Sequence, residues 1–192
     1  MFETEARAPE AGADRLFIDR WSPRAFRPDP LTQDEIASLF EAARWAPSSS
    51  NTQPWLFLYA TDGPERDVFN SILNEGNRKW ATSAPLLIYV IARRRREDGA
   101  PMRTAQFDTG AAWMSLALQA RMLGLYAHAM GGIDLVVAYE KLRVPKDNYE
   151  VICAVAAGRR GDVIDLPEEQ RDREFPKGRK PLGEVAREGF FG

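Results

Sequence analysis

Pro47-Ser48-Ser49-Ser50-Asn51-Thr52-Gln53-Pro54-Trp55 is the least ordinary string in this sequence. Seven consecutive polar or proline residues, Ser48 to Pro54, separate a strongly helical pattern from an aromatic run suited to a strand. Held between a helix and a strand, the loop is tightly conformed. Asn51 and Gln53 each carry a donor and an acceptor on one side-chain amide, a pairing able to read the polar edge of a heteroaromatic ring. Taken alone, the string reads first as a well-capped surface loop.

Outward from this loop the elements declare themselves. Leu31 to Trp45 predicts a helix: Thr32 and Glu35 have capping-box spacing, and Ile36, Leu39, Phe40 and Ala43 share a face. Pro47 stops it. Trp55 to Ala60 predicts a strand, and Arg66 to Asn74 a helix. Leu86 to Ala92 is a continuous apolar, β-branched run, the pattern of a strand covered on both faces. Thr104 to Leu123 is the longest predicted helix. Its apolar residues, Trp113, Met114 and Leu116 among them, nearly encircle it, so it belongs in a core or an interface. Gly124 ends it. A strand from Leu125 to Met130 leads into Gly131-Gly132, Asp134 caps a helix to about Arg143, and Tyr149 to Ala157 reads as a buried strand. From Arg159 to Phe190-Phe191 the chain is polar and broken by Pro and Gly. Helices and strands mix without a βαβ rhythm, which predicts an α+β fold. Residues 1–13, rich in Ala, Glu and Pro, read as a flexible lead-in to a single domain spanning 14–192.

Composition narrows the function classes. Of 192 residues 44% are hydrophobic and 28% charged, a globular balance. The formal net charge of −2 lacks the basic surplus that neutralises nucleic-acid phosphates. Only five of the 26 basic residues are lysine. Arginine's planar fork suits phosphates and carboxylates, although a general preference for arginine gives the same bias. One cysteine, Cys153, leaves no internal disulfide and no cysteine-rich metal site. The acidic start has no signal-peptide pattern, and the longest apolar run, Pro85 to Ala92, is too short to cross a bilayer. The expectation is a cytoplasmic protein without a membrane or nucleic-acid partner.

Three further clusters can carry chemistry. Arg20-Trp21-Ser22-Pro23-Arg24 puts two arginines and a hydroxyl within five residues, on a backbone that Pro23 favours as extended, so that they can aim at one phosphate. A solvated turn is the commoner meaning of such spacing. Lys177-Gly178-Arg179-Lys180-Pro181-Leu182 is short, basic and near the end of the chain. Gly131-Gly132 permits close backbone approach to a planar ligand, or is simply a turn.

In order along the chain, R-x-S-x-R-x-F from Arg20, P-S-S-x-N-x-Q-P-W from Pro47, G-L-x-A-x-x-x-G from Gly124 and K-x-R-x-P-L from Lys177 resemble the nitroreductase family of FMN-dependent flavoproteins. The match runs from Arg20 to Val185, and the Ser48–Trp55 string is its most specific part. The resemblance implies an α+β fold with a central, mostly antiparallel sheet flanked by helices, assembled as an intertwined homodimer. It implies bound FMN, with NADH or NADPH as a transient hydride donor. An electron-poor small molecule (nitroaromatic, quinone or flavin) then takes the electrons in a ping-pong order.

The resemblance also assigns residues. Arg20, Ser22, Arg24, Lys177 and Arg179 would hold the FMN phosphate and ribityl chain. Pro47, Ser48, Ser49 and Asn51, with Gln53, would reach the flavin of the partner subunit. Ala129, Met130, Gly131 and Gly132 would lie against the isoalloxazine ring, with the Gly131 N–H facing N5. No side chain is implied as an acid or base. Two departures stand out: many relatives have proline and glutamate where this chain has Ala129 and Gly131, and Asp108 stands where some place a glutamine. Asp108 otherwise reads as a helix-start or surface residue. Asn77, Arg78 and Trp80 form a candidate substrate rim, although Trp80 reads more readily as a core residue. A flavin reductase or flavin-fragmenting enzyme of the same fold remains an alternative, as does a flavin-binding protein without turnover. His128, the single histidine, reads as a satisfied strand residue, Cys153 as a small core hydrophobe, and Arg93 to Arg96 as a solvated loop.

Overall fold

The computed structural model describes residues 7–191; the first six residues of the expected lead-in lie outside the described residues. In chain order the elements are α1 (Arg15–Asp19), α2 (Gln33–Arg44), β1 (Trp55–Ala60), α3 (Gly63–Ile72), α4 (Glu75–Ala81), β2 (Leu86–Arg93), α5 (Ala105–Met122), β3 (Tyr126–Met130), α6 (Leu135–Lys141), β4 (Tyr149–Gly158), α7 (Glu168–Arg171) and α8 (Leu182–Val185). The four strands form one sheet in the order β1-β2-β4-β3, with every pair antiparallel. The fold is α+β.

β2 shows how the sheet is buried. Leu86, Ile88 and Val90 face one apolar layer, while Leu87, Tyr89 and Ile91 face another. Alternate side chains of a strand point to opposite faces, so a run that is apolar at every position needs cover on both. α2 and α5 supply it on the first face through Leu39, Ala43, Leu116 and Ala120. On the second face the cover is Trp21, Phe26, Phe69, Ile72 and Trp80. Each fully buried Leu or Ile contributes about 1.5–3 kcal/mol.

The capping box of α2 forms in both halves. The Thr32 hydroxyl accepts from the Glu35 N–H at 3.1 Å, and the Glu35 carboxylate accepts from the Thr32 N–H at 2.8 Å. α3 begins at Gly63 rather than at Arg66, because Pro64 occupies its first turn, where a missing N–H costs nothing. Arg66 is buried. Its guanidinium donates to the carbonyls of Ala60, Ala81, Thr82 and Ala84, tying the end of α4 to the end of β1, and burial lowers its pKa to about 10.

α5 buries only one side. Ala112, Leu116, Ala117 and Ala120 pack inward, whereas Phe107 is 81% and Met122 67% exposed. The apolar character all round the helix therefore exceeds what one chain covers. Gly124, at φ +74°, ends the helix as expected from a glycine that tolerates the left-handed region. No helix among the described residues is long and apolar enough to cross a membrane.

Candidate functional site

Segments far apart in sequence meet at a cavity of about 220 Å3. Arg20, Trp21, Ser22 and Arg24 line it from the stretch after α1, and His128 from β3. Arg173, Phe175, Lys177 and Arg179 reach it from beyond α7, and Arg7 from the start of the described chain. Six of these ten residues are cationic, and none carries a carboxylate.

Glu174 builds this arrangement. Its buried carboxylate accepts from the Arg24 N–H at 2.8 and 3.0 Å and from the Ala25 N–H at 2.9 Å, while the Arg24 guanidinium lies 4.0 Å away. It thus fastens the C-terminal wall of the cavity to the Arg20–Arg24 wall, across about 150 residues of sequence. Arg7 adds a second strap, donating to the carbonyls of Ile18, Arg20 and Lys177. Below them the chain pairs with the exit of β4: Arg27 N–H donates to Arg159 O at 2.9 Å, and Gly161 N–H to Ala25 O at 2.8 Å.

The electrostatics of the cavity are those of an anion site. Desolvation, then repulsion from Arg179 and Arg7, lowers the pKa of Arg20, so a negative group entering there relieves an existing strain between like charges. Trp21 lines the same cavity, and its indole N–H, buried, has no acceptor among the described residues. A phosphate fits this donor set: arginine forks, a lysine, the Ser22 hydroxyl and an indole N–H. His128 combines two roles. Its Nδ1 lies 2.8 Å from Pro23 O and its ring 4.6 Å from that of Trp80, so it is a satisfied strand residue that also faces the cavity. Burial, with some repulsion from Arg24, lowers its pKa to about 4, so it adds no charge near neutral pH.

The serine-rich loop does not line this cavity of its own chain. Ser49–Asn51 form one turn of tight helix, and Ser50, Asn51 and Gln53 have φ of 52°, 53° and 45°. Three non-glycine residues in the left-handed region within four positions represent about 1 kcal/mol or more of backbone strain each, the kind that clusters at functional sites. Two anchors hold the strain. Gln53 N–H donates to the Ser48 hydroxyl at 3.0 Å, and Ser49 N–H donates to the buried Asp108 carboxylate at 3.2 Å. Asp108 also accepts from the Thr104 hydroxyl at 3.0 Å, so it is neither a surface residue nor a simple cap. Pro47, Ser49, Asn51 and Gln53 stay exposed, and Ser48 half-buried.

The Ala129-Met130-Gly131-Gly132 segment leaves β3 at its end. Met130 is buried opposite Ala154, while Gly131 is exposed, and a Cβ there would meet no atom within 4 Å. Gly132 has no such latitude: a Cβ would clash with the side-chain amides of Asn74 and Asn77. Its carbonyl accepts from the Asn77 side chain at 2.9 Å and from Asn74 N–H at 3.1 Å. Asn77 thus props the glycine turn. Trp80 is core, stacked on Phe26 at 6.3 Å. Glu174, Arg7 and Arg173 carried no motif. A run of alternating charges around Glu174 gave no hint that one member is buried.

A family model described as the nitroreductase family matches residues 18–159. A solved protein described as an oxidoreductase containing FMN is 45% identical, with a TM-score of 0.93 over 100% of this chain and 99% of that one. Protein DrgA from Synechocystis sp. is 32% identical over 86% of this chain and 90% of its own. A Streptomyces coelicolor protein with the provisional name NADH dehydrogenase/NAD(P)H nitroreductase is 34% identical over 48% of this chain, a match that spans 45% of that relative's own length. Over a shorter stretch, 30% of this chain and 27% of the other, 5,6-dimethylbenzimidazole synthase from Rhodospirillum rubrum is 44% identical. With its antiparallel sheet, its cationic cavity and these matches, the chain belongs to the nitroreductase family of oxidoreductases.

Proposed function

We propose that the chain binds FMN with the phosphate in the cationic cavity, and passes electrons from NADH or NADPH to an electron-poor small molecule such as a nitroaromatic, a quinone or a flavin. The observation that carries this reading is the convergence of Arg20, Arg24, Lys177 and Arg179, with Arg7 and Arg173, on one carboxylate-free cavity. A dianionic phosphate is the ligand such a set suits, and a solved relative at 45% identity is described as containing FMN. When bound, FMN supplies the two-electron chemistry, so the protein's part is binding, orientation and electrostatics.

Each element then has a task. Arg20 and Arg24 hold one side of the phosphate and Lys177 and Arg179 the other, with the Ser22 hydroxyl between. Ala129 to Gly132 offer the ring a backbone edge, where the absent side chain of Gly131 keeps the approach open. Donor and acceptor use that open face in turn, which makes the kinetics ping-pong. The strained Ser48–Gln53 loop serves the flavin of a partner subunit in a C2 homodimer. Its absence from its own chain's cavity and the exposed apolar residues Phe107, Met122 and Trp45 support that assembly.

Anaerobic NADPH or NADH should bleach the bound flavin, and a nitroarene should restore the colour. A flavin that stays oxidised with either donor contradicts the reading. The local likeness to 5,6-dimethylbenzimidazole synthase favours a second reading, fragmentation of a reduced flavin. Product analysis under NADPH and oxygen separates the two: intact flavin supports electron transfer, and a benzimidazole product supports fragmentation.

A further inference from the structure

The arginine run Arg93 to Arg96 has no part in the chemistry described so far. It opens a hairpin closed by Arg96 N–H to Ala100 O at 2.8 Å and Met102 N–H to Arg94 O at 2.7 Å. The hairpin stands beside the serine-rich loop, and between them lies a hollow of about 170 Å3 whose polar lining is Ser49, Thr52, Thr104, Arg96 and Arg103. Neither of these two guanidiniums has an ion pair or a hydrogen bond among the described residues. The Thr52 hydroxyl is buried there without a partner. Asp108 is the carboxylate in contact with the lining, and its contacts to Ser49 N–H and the Thr104 hydroxyl fix two of the lining residues in place.

We propose that this hollow is a second phosphate site, which takes a phosphate group of the nicotinamide donor. Two planar forks each bind a tetrahedral oxyanion through paired N–H donors, and the orphaned Thr52 hydroxyl supplies one more. The setting adds sense to this chemistry. The hollow shares Ser49 with the loop that serves the partner's flavin, so a dinucleotide anchored by its phosphate there has its nicotinamide end free to reach the ring. The identity of the carrier rests on the NAD(P)H-dependent flavin reading, whereas the oxyanion chemistry stands on the hollow itself.

The FMN-loaded protein, its first cavity filled, is titrated with inorganic pyrophosphate by calorimetry. The wild type should bind it, and Arg96→Ala/Arg103→Ala should weaken binding at least tenfold. The KM for NADPH should rise by a similar factor in the same variant. Both side chains are exposed and unbonded, so the fold does not depend on them. Pyrophosphate that binds the double variant as tightly as wild type, or does not bind wild type, overturns the site. Pyrophosphate binding lost with an unchanged KM for NADPH overturns the donor as the carrier. Should the protein take up no FMN, Arg96→Ala/Arg103→Ala is compared with its parent in an Arg20→Ala/Arg24→Ala background, which removes one wall of the first cavity, and the difference between the two still reads the hollow independently of the flavin reading.

Discussion

Replacing Arg20 and Arg24 together by alanine removes one wall of the proposed phosphate site while sparing the fold that supports it. Hydrogen bonds to charged groups are worth about 1.5–3 kcal/mol each, so losing one from each arginine costs roughly 3–6 kcal/mol of FMN binding. At about 1.4 kcal/mol per tenfold, the dissociation constant rises about a hundredfold to ten-thousandfold. Stability should fall only modestly: Arg24→Ala removes the guanidinium 4.0 Å from the buried Glu174 carboxylate, but the main-chain contacts stay. Glu174 grips the N–H groups of Arg24 and Ala25, and Arg7 grips the carbonyl of Arg20, all of which alanine retains. The assay is fluorescence titration of the flavin-stripped protein with FMN and, in parallel, with riboflavin, which lacks the phosphate. FMN affinity should fall while riboflavin affinity holds. Wild-type FMN affinity in the double variant, or an equal loss for riboflavin, would refute the phosphate assignment.

Three further outcomes follow from the same structure. Glu174→Ala leaves two buried N–H groups without acceptors and should lower the unfolding free energy by about 3 kcal/mol in urea titration; a loss under about 0.5 kcal/mol would show the clamp to be unimportant. His128, whose pKa falls from 6.5 unfolded to about 4 folded, stays neutral in the native state while the unfolded chain takes up a proton, so stability is lost as pH falls through that window. The loss by pH 4 should be about 3 kcal/mol or less, and it should vanish in His128→Gln; identical pH profiles for the two proteins would rule it out. Ser50 at φ 52° should accept glycine within about 0.5 kcal/mol, whereas Ser50→Val should cost roughly 1–3 kcal/mol, both read by thermal unfolding. Equal stability of the two variants would place the loop outside the left-handed region.

The parts of the fold that were legible in the sequence are those fixed by local chemistry. Thr32 and Glu35 are three apart and form their capping box wherever the helix sits, and β2's unbroken apolar run demands two covers in any fold. α4 was not foreseen: seven residues with three polar side chains in the middle carry no periodic apolar stripe, and the helix is held by Asn74 capping and by Arg66 reaching its last carbonyls. α3 starts three residues ahead of the expected Arg66, because Pro64 sits in its first turn, where a proline opens a helix instead of breaking it. At the candidate site, the order of motifs brought Arg20, Ser22, Arg24, Lys177 and Arg179 into one reading, and these five do share a cavity. What organises them was invisible. Glu174 bonds to backbone N–H groups about 150 residues away, and Asp108 to one 59 residues away. A side chain that binds remote main chain needs no matching residue type at the other end, so no pattern in sequence reports it.

The most direct measurement is the absorbance spectrum of the purified protein, before and after heat release of any bound chromophore, with the released molecule resolved by chromatography. The cationic cavity predicts a yellow protein that releases FMN in about one equivalent per chain. A colourless protein that also fails to take up added FMN would contradict the assignment.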